Sequence, residues 1–242
     1  MDRKITESYV SIDLETTGLN PKQDRIIEIG VVKVEHNRIV EEWETFVDPG
    51  RKLEERITAL TGIRDEQLAG APKIAEVLPE LFALIGERAL LGHRVLFDYS
   101  FLKKAAVDNR ISFERSGIDT LKIARKYLAD LESRGLEYLC RHYGIAHNAH
   151  RALGDAQATV RLYQKLAELF YEKEACAGDE DLFRPRPLHY HAKRDTPITI
   201  PQKEQLYKLA DKHRLVLEYD IERLTRSEAS RQIDRLLAEY GR

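Results

Sequence analysis

Cysteine is scarce. Only Cys140 and Cys176 occur in 242 residues, and their spacing suits neither a disulfide framework nor a zinc ribbon. Thiol chemistry has no candidate, because Cys140, within Leu136-Glu137-Tyr138-Leu139-Cys140, reads as a small buried hydrophobe. Long apolar runs are missing as well: none approaches the roughly 18 to 20 residues that span a bilayer. The opening MDRKITES lacks the apolar stretch of a secretory signal. A cytoplasmic protein that does not engage membranes is the expectation. Nor is there an excess of one charge sign. The 39 Lys+Arg against 41 Asp+Glu leave a formal net charge of −2, which exerts no overall pull on a polyanion. Binding one would need a local basic patch or bound metal ions.

What is present describes a globular chain. With 43% hydrophobic and 33% charged residues it is too apolar for disorder and too charged for a membrane protein. Its length suits one main domain with a small appendage. Residues 8–14, 26–35 and 39–47 read as β-branched, partly alternating strands, the last two joined as a hairpin through His36-Asn37-Arg38. Helical patterns follow at about 74–86 and 98–108, with the short apolar run Ala89-Leu90-Leu91-Gly92 between them as a buried strand. Three more helical patterns lie at about 120–130, 135–143 and 153–172, the last with Ala156, Val160, Tyr163, Ala167 and Phe170 at helical spacing.

Three strands followed by alternating helix and strand imply an α/β domain with a mixed central sheet flanked by helices, over residues 1–173. Residues 174–197 read as a linker, since Ala177 to Pro197 has three prolines and no period. Residues 198–242 read as a small helical module. Thr199 with Gln202, and Thr225 with Glu228, have the three-residue spacing of capping boxes. After the second box, Ala229, Ile233, Leu236, Leu237 and Tyr240 form one apolar helical face.

Two acids stand two apart at the end of the first strand, in Ser11-Ile12-Asp13-Leu14-Glu15-Thr16-Thr17-Gly18. Strand side chains alternate, so Asp13 and Glu15 share a face. Adjacent carboxylates repel unless a cation neutralises them, and hard divalent ions with oxygen ligands are the natural occupants. Taken alone, the pair equally suits a solvated strand end. Asp98 lies just after the buried strand, where a structural N-cap is the alternative. Asp155 falls in the first turn of the last helix, where an acid is ordinary. His150 precedes it by five residues; by itself it reads as a surface histidine.

The three segments together resemble the DnaQ-like, or DEDD, exonucleases, in the branch whose general base is histidine. Asp13-x-Glu15 with Thr16-Thr17-Gly18, then His93…Phe97-Asp98, then His150-x-x-x-x-Asp155 occur in the family's order over roughly residues 8–172. Arg25-Ile26-Ile27-Glu28-Ile29-Gly30 and Ile57-Thr58-Ala59-Leu60-Thr61-Gly62-Ile63 agree with it. The resemblance implies an RNase H-like exonuclease fold. It implies two Mg2+ ions, with Mn2+ as a substitute, held by Asp13, Glu15, Asp98 and Asp155, with His150 as base. It implies contacts to the terminal nucleotide from Thr16, Thr17 and Leu19, with His93 and Phe97 lining the same pocket. Many relatives have Asn after the histidine of the second motif, and this chain has Arg94.

The activity so implied is 3′→5′ hydrolysis at single-stranded or frayed DNA 3′ ends, in replication proofreading or repair. A polymerase or other replication protein is the expected partner of the C-terminal module. Two alternatives stay open: a 3′ exoribonuclease using the same chemistry, and a polymerase- or nucleic-acid-binding module. The segment Asp155-Ala156-Gln157-Ala158-Thr159 resembles the proofreading branch more than the oligoribonucleases.

Overall fold

Alternating side chains over Tyr9–Thr16, Ile26–Glu35 and Arg38–Phe46 form strands β1, β2 and β3. The computed structural model describes residues 5–176, 181–217 and 219–241. The β2–β3 hairpin turns on His36 and Asn37, whose φ values of 51° and 61° belong to the mirror-image turn that matches strand twist. β4 (Leu90–Gly92) and β5 (Ser116–Asp119) run parallel to β1, and β6 (Arg186–Pro187) pairs antiparallel with β5. The six-stranded sheet has the order β3-β2-β1-β4-β5-β6. It is mixed, as expected.

Helices cover both faces. α1 (Glu55–Thr61) and α2 (Asp65–Leu68) carry Ile57 and Leu68 into a small cluster with Ile27 and Ile63. α3 (Ile74–Ile85) and α4 (Leu96–Asp108) bury Leu81, Ile85, Phe101 and Leu102 against Val10, Ile12 and Leu14 of β1. On the opposite face lie α5 (Thr120–Tyr127), α6 (Leu136–Tyr143) and α7 (Ala152–Cys176). There Val160, Tyr163 and Leu166 of α7 pack with Tyr9, Val32 and Val34. Cys140 is buried in this cluster's neighbourhood, as its reading as a small hydrophobe required.

The seat of α7 decides where its first turn goes. Cross-strand partners share a face, and the register pairs Tyr9 with Val34, Ser11 with Val32, Asp13 with Gly30 and Glu15 with Glu28. This face is therefore apolar at one end and acidic at the other. Ser11 donates from Oγ to the Ala156 carbonyl at 2.9 Å. Gly30 lets the helix touch the sheet: a Cβ there would stand 2.1 Å from the Ala152 carbonyl carbon and the Leu153 nitrogen.

Several elements depart from the sequence reading. β5 was not foreseen because Ser116-Gly117-Ile118-Asp119 has a single apolar side chain and no alternation to detect. The residues expected to be linker also contribute to the sheet. Arg186 pairs with Gly117, and Phe183 is fully buried between Tyr163 and Tyr171. A two-residue edge strand containing proline has no period to read. The division of the chain falls between Met1–Ala192 and Lys193–Arg242. The side chain of Cys176, and residues 177–180 of the expected linker, lie outside the described residues.

The second unit has its own core. α8 (Ile200–His213) and α9 (Arg226–Tyr240) enclose Ile198, Leu206, Leu209, Ala229, Ile233 and Leu236. Both expected capping boxes form, Thr199 with Gln202 and Thr225 with Glu228. Gln202 also donates from Nε2 to the Arg226 carbonyl and to Ser230, tying the two helix starts together. Among the described residues no helix is long and apolar enough to cross a membrane.

Gly30→Ala should cost about 3 kcal/mol or more, since the added methyl meets backbone that cannot rotate away. Urea unfolding followed by circular dichroism checks this, and an unchanged midpoint would contradict the packing described.

Candidate active site

The carboxyl ends of β1 and β4 adjoin where the chain order reverses. After β1 the chain builds β2 and β3 on one side, then crosses to β4 on the other. In open α/β sheets such a switch point leaves a crevice outside the strand ends. Asp13 and Glu15, at the end of β1, project on the α7 side of it. Asp155, in the first turn of α7, meets them there. One carboxylate oxygen from each of the three lies within 4.8 Å of the others.

Asp98 reaches the same edge by a different route. β4 pairs with β1 only as far as Ser11↔Leu91, which leaves the N–H of Leu14 without a ladder partner on that side. Asp98 Oδ1 accepts it at 3.1 Å. The N-cap of α4 is Val95, so Asp98 is not the helix cap. Its buried carboxyl instead ties α4 to β1.

Burial and mutual repulsion act on all four acids. Burial is the larger cause throughout. It raises Asp13 well above the usual carboxylate range, reinforced by the charges of Asp98, Asp155 and Glu15. Glu15 is pushed up to about 7 and Asp98 to about 8. Asp155 is raised as well, although the hydrogen bond and charge of His147 oppose the shift. A set of hard oxygen donors that resist sharing negative charge suits divalent cations, which remove the repulsion by binding.

Glu28 is a fifth acid on this face, opposite Glu15 in the ladder and 2% exposed. One of its oxygens accepts from Arg151 Nε and Nη2, at 3.0 and 2.7 Å. The other accepts the N–H of Ala152 at 3.0 Å, satisfying a donor at the start of α7 from across the sheet. Asp155 is thereby placed by β2 as much as by its own helix. In the sequence this role is signalled only by an acid inside the otherwise apolar string Ile27-Glu28-Ile29.

The histidines divide differently from their spacing. His147 Nε2 bonds Asp155 Oδ1 at 2.5 Å. His150 is exposed, adopts a left-handed φ of 62° and has no hydrogen-bond partner among the described residues, while its charge reaches Asp155. His93 has both ring nitrogens engaged within the protein, Nδ1 with Thr120 Oγ1 at 2.9 Å and Nε2 with the Arg134 carbonyl at 2.8 Å. It braces β4 to α5, and burial lowers its pKa.

The hydroxyls of Thr16 and Thr17 are used by the turn that follows β1. Thr16 donates to the Gly18 carbonyl, and Thr17 accepts from the Arg25 N–H and from Arg51 Nη2. A side chain on Gly18 would collide with the Asp24 carboxylate, 2.5 Å from the Cβ position. Leu19 is 80% exposed on this turn. Phe97 is half-buried beside Asp98, its ring 5.1 Å from that of Phe101 and 5.9 Å from the Arg94 guanidinium. Phe101 itself is core.

This sheet order with its acidic carboxyl edge defines an RNase H-like exonuclease fold. The chain belongs to the exonuclease family, whose model matches residues 10–163. It is 36% identical to DNA polymerase III subunit epsilon of Aquifex aeolicus over 174 residues, covering 71% of this chain and 86% of that protein. It is 34% identical to DNA polymerase III PolC-type of Oceanobacillus iheyensis over 240 residues, which is 93% of this chain and 16% of that much longer one. Against the PolC-type protein of Clostridium perfringens the match is 38% over 66% of this chain and 11% of the relative. The chain thus spans a small part of the PolC-type proteins. A solved structure of exonuclease I superposes with a TM-score of 0.63 at 21% identity, over 74% of this chain and 42% of that one. One of E. coli exonuclease I with a dA16 oligonucleotide gives 0.61 at 21%, over 69% and 42%.

Acids whose folded-state pKa is raised bind more protons folded than unfolded, so they lower stability as pH rises above the unfolded value. In chelator, the melting temperature should therefore fall between about pH 5 and about pH 8. Asp13→Asn should raise it at the upper end, and Mg2+ should reverse the fall in the parent protein alone. A thermal-melt series against pH tests this; a flat profile in chelator would contradict the site electrostatics.

Proposed function

We propose that this protein is a metal-dependent 3′→5′ exonuclease that hydrolyses the terminal phosphodiester of DNA strands, in proofreading or repair. The observation that carries the reading is the convergence of Asp13, Glu15 and Asp155 within 4.8 Å, with Asp98 tied to the same strand through Leu14. Oxygen donors of this kind fit Mg2+, with Mn2+ as substitute, held by Asp13, Glu15, Asp98 and Asp155. Two such ions, when bound, neutralise the carboxylates and stabilise charge on the attacking and leaving oxygens.

The chain's own residues do the rest. His150, exposed and with its charge reaching Asp155, takes the proton of the attacking water as general base. His147 holds Asp155 in place. Glu28 and Arg151 anchor the start of α7, which sets both His150 and Asp155 relative to β1. Leu19 and Phe97 offer apolar surface to the terminal base without reading its identity. Thr16 and Thr17 order the turn that follows the β1 acids, and His93 braces the end of β4 against α5.

DNA as substrate is supported by the relatives' names, which are those of DNA polymerase III proteins, and by the oligonucleotide complex of the structural neighbour. The similarity to the Oceanobacillus protein runs over 93% of the chain and so extends into the second unit. We assign that unit to contact with a polymerase or another replication protein.

With 5′-labelled single-stranded DNA and Mg2+, the protein should produce a ladder shortening from the 3′ end. Chelator and Asp13→Ala should abolish it. His150→Ala should slow single-turnover cleavage by about 10²- to 10⁴-fold while metal titration stays near the parent curve. Faster cleavage of matching RNA would favour the exoribonuclease reading, and no cleavage by folded, metal-loaded protein would sink both.

A further inference from the structure

The carboxyl edge of the sheet continues past the acids. β5 ends at Asp119, level with Gly92 of β4, and α5 begins immediately after it. β6 runs antiparallel to β5, with Arg186 opposite Gly117, so the residues entering β6, from Arg184 onward, lie toward the end of β5 that carries Asp119. A cleft of about 240 Å3 opens there, with Gly117, Asp119, Lys122, Arg184, Arg186 and Leu188 among its walls. This is below the roughly 300 Å3 at which pockets for drug-sized ligands begin, and it suits a single phosphodiester group.

The charge in the cleft is positive on balance. Lys122 and Arg186 are exposed, and neither cation has an acidic partner among the described residues. Arg184 pairs with Asp181 at 2.5 Å and remains 42% exposed. The one acid of the wall, Asp119, already spends Oδ1 on the N–H groups of Arg94, Leu121 and Lys122. These bonds also connect the cleft to the acidic site. Arg94 shares Asp119 with Lys122 and stands over Phe97, next to Asp98, while the charge of Asp119 reaches Asp98 itself. Neighbouring strands are about 4.8 Å apart, so β5 and β6 lie roughly 10 to 15 Å along the edge from the β1 acids.

We propose that this cleft is a second phosphate site, in which Lys122 and Arg186 hold the backbone of the DNA strand on the 5′ side of the linkage being cut. The inference rests on the exonuclease reading for its substrate. It accounts for how a chain of net charge −2 grips a polyanion: attraction is confined to one track leading to the site. Since the contacts are to phosphate, they favour length over sequence.

The test compares the full-length parent, Lys122→Ala/Arg186→Ala, and the charge-conserving Lys122→Arg/Arg186→Lys. Fluorescence anisotropy of a long single-stranded oligonucleotide is followed in Ca2+ as salt rises from about 50 to about 200 mM. Hydrolysis of a dinucleotide, too short to span the edge, is measured separately in Mg2+. The alanine variant should bind the long strand about tenfold more weakly, with a log–log salt slope shallower by about 1.4, from 0.7 per lost contact. It should cleave the dinucleotide within about twofold of the parent, and the charge-conserving variant should restore binding. Equal binding and an unchanged slope in the alanine variant would overturn the second site, as would equal losses on both lengths. Failure of the parent to cleave either length would instead strike the exonuclease reading, while the anisotropy result would still decide whether the cleft holds a strand.

Discussion

The structure turns on keeping four carboxyl groups together in a place where burial favours their neutral forms. Each acid is held from a separate direction. Asp13 and Glu15 are aligned by strand alternation, Asp98 is bonded to the N–H that β4 leaves unpaired, and Asp155 enters on the first turn of α7. Burial first, and neighbouring acids second, raise Glu15 and Asp98 and so disfavour their charged forms. The same repulsion suits the cluster to hard divalent ions, whose binding would remove an existing penalty.

Holding such a cluster needs a rigid support, which the sheet and its two helical faces provide. α7 is fixed at three points along one face. Tyr163 packs edge-on to Tyr9 with ring centroids 5.2 Å apart, Ser11 bonds the Ala156 carbonyl, and Glu28 holds Arg151 and Ala152. Gly30 allows that last approach. Full burial of a Leu, Ile or Tyr-sized side chain contributes about 1.5–3 kcal/mol, so the apolar end of the face offsets the electrostatic cost at its acidic end. Glu28 adds negative charge beside Glu15 but brings its own counterion.

Much of this was legible in the residue order. The acids at 13, 15, 98 and 155 were readable because strand alternation and helix starts are local patterns, and their order along the chain matched a known family. The hairpin and both capping boxes were legible for the same reason: each is specified within a few residues. Other features had no local signature. β5 has one apolar side chain, β6 is two residues at an edge, and Phe183 is buried only because Tyr163 and Tyr171 come to it from α7. The partners of the His93 ring, Thr120 and Arg134, lie 27 and 41 residues away and have no local signal.

Composition and short-range pattern by themselves determined the α/β class, the mixed sheet, the acidic motifs and the separate helical segment at the C-terminus. Those properties depend on periodicity and on chemistry carried by neighbouring residues. Tertiary structure alone decided which histidine touches Asp155, that Glu28 anchors the helix bearing that acid, and that Arg184 and Arg186 line one cleft with Lys122. Each of these joins residues distant in sequence through strand register and helix seating. The energy of such contacts is set by where the backbone brings them, which no local pattern encodes.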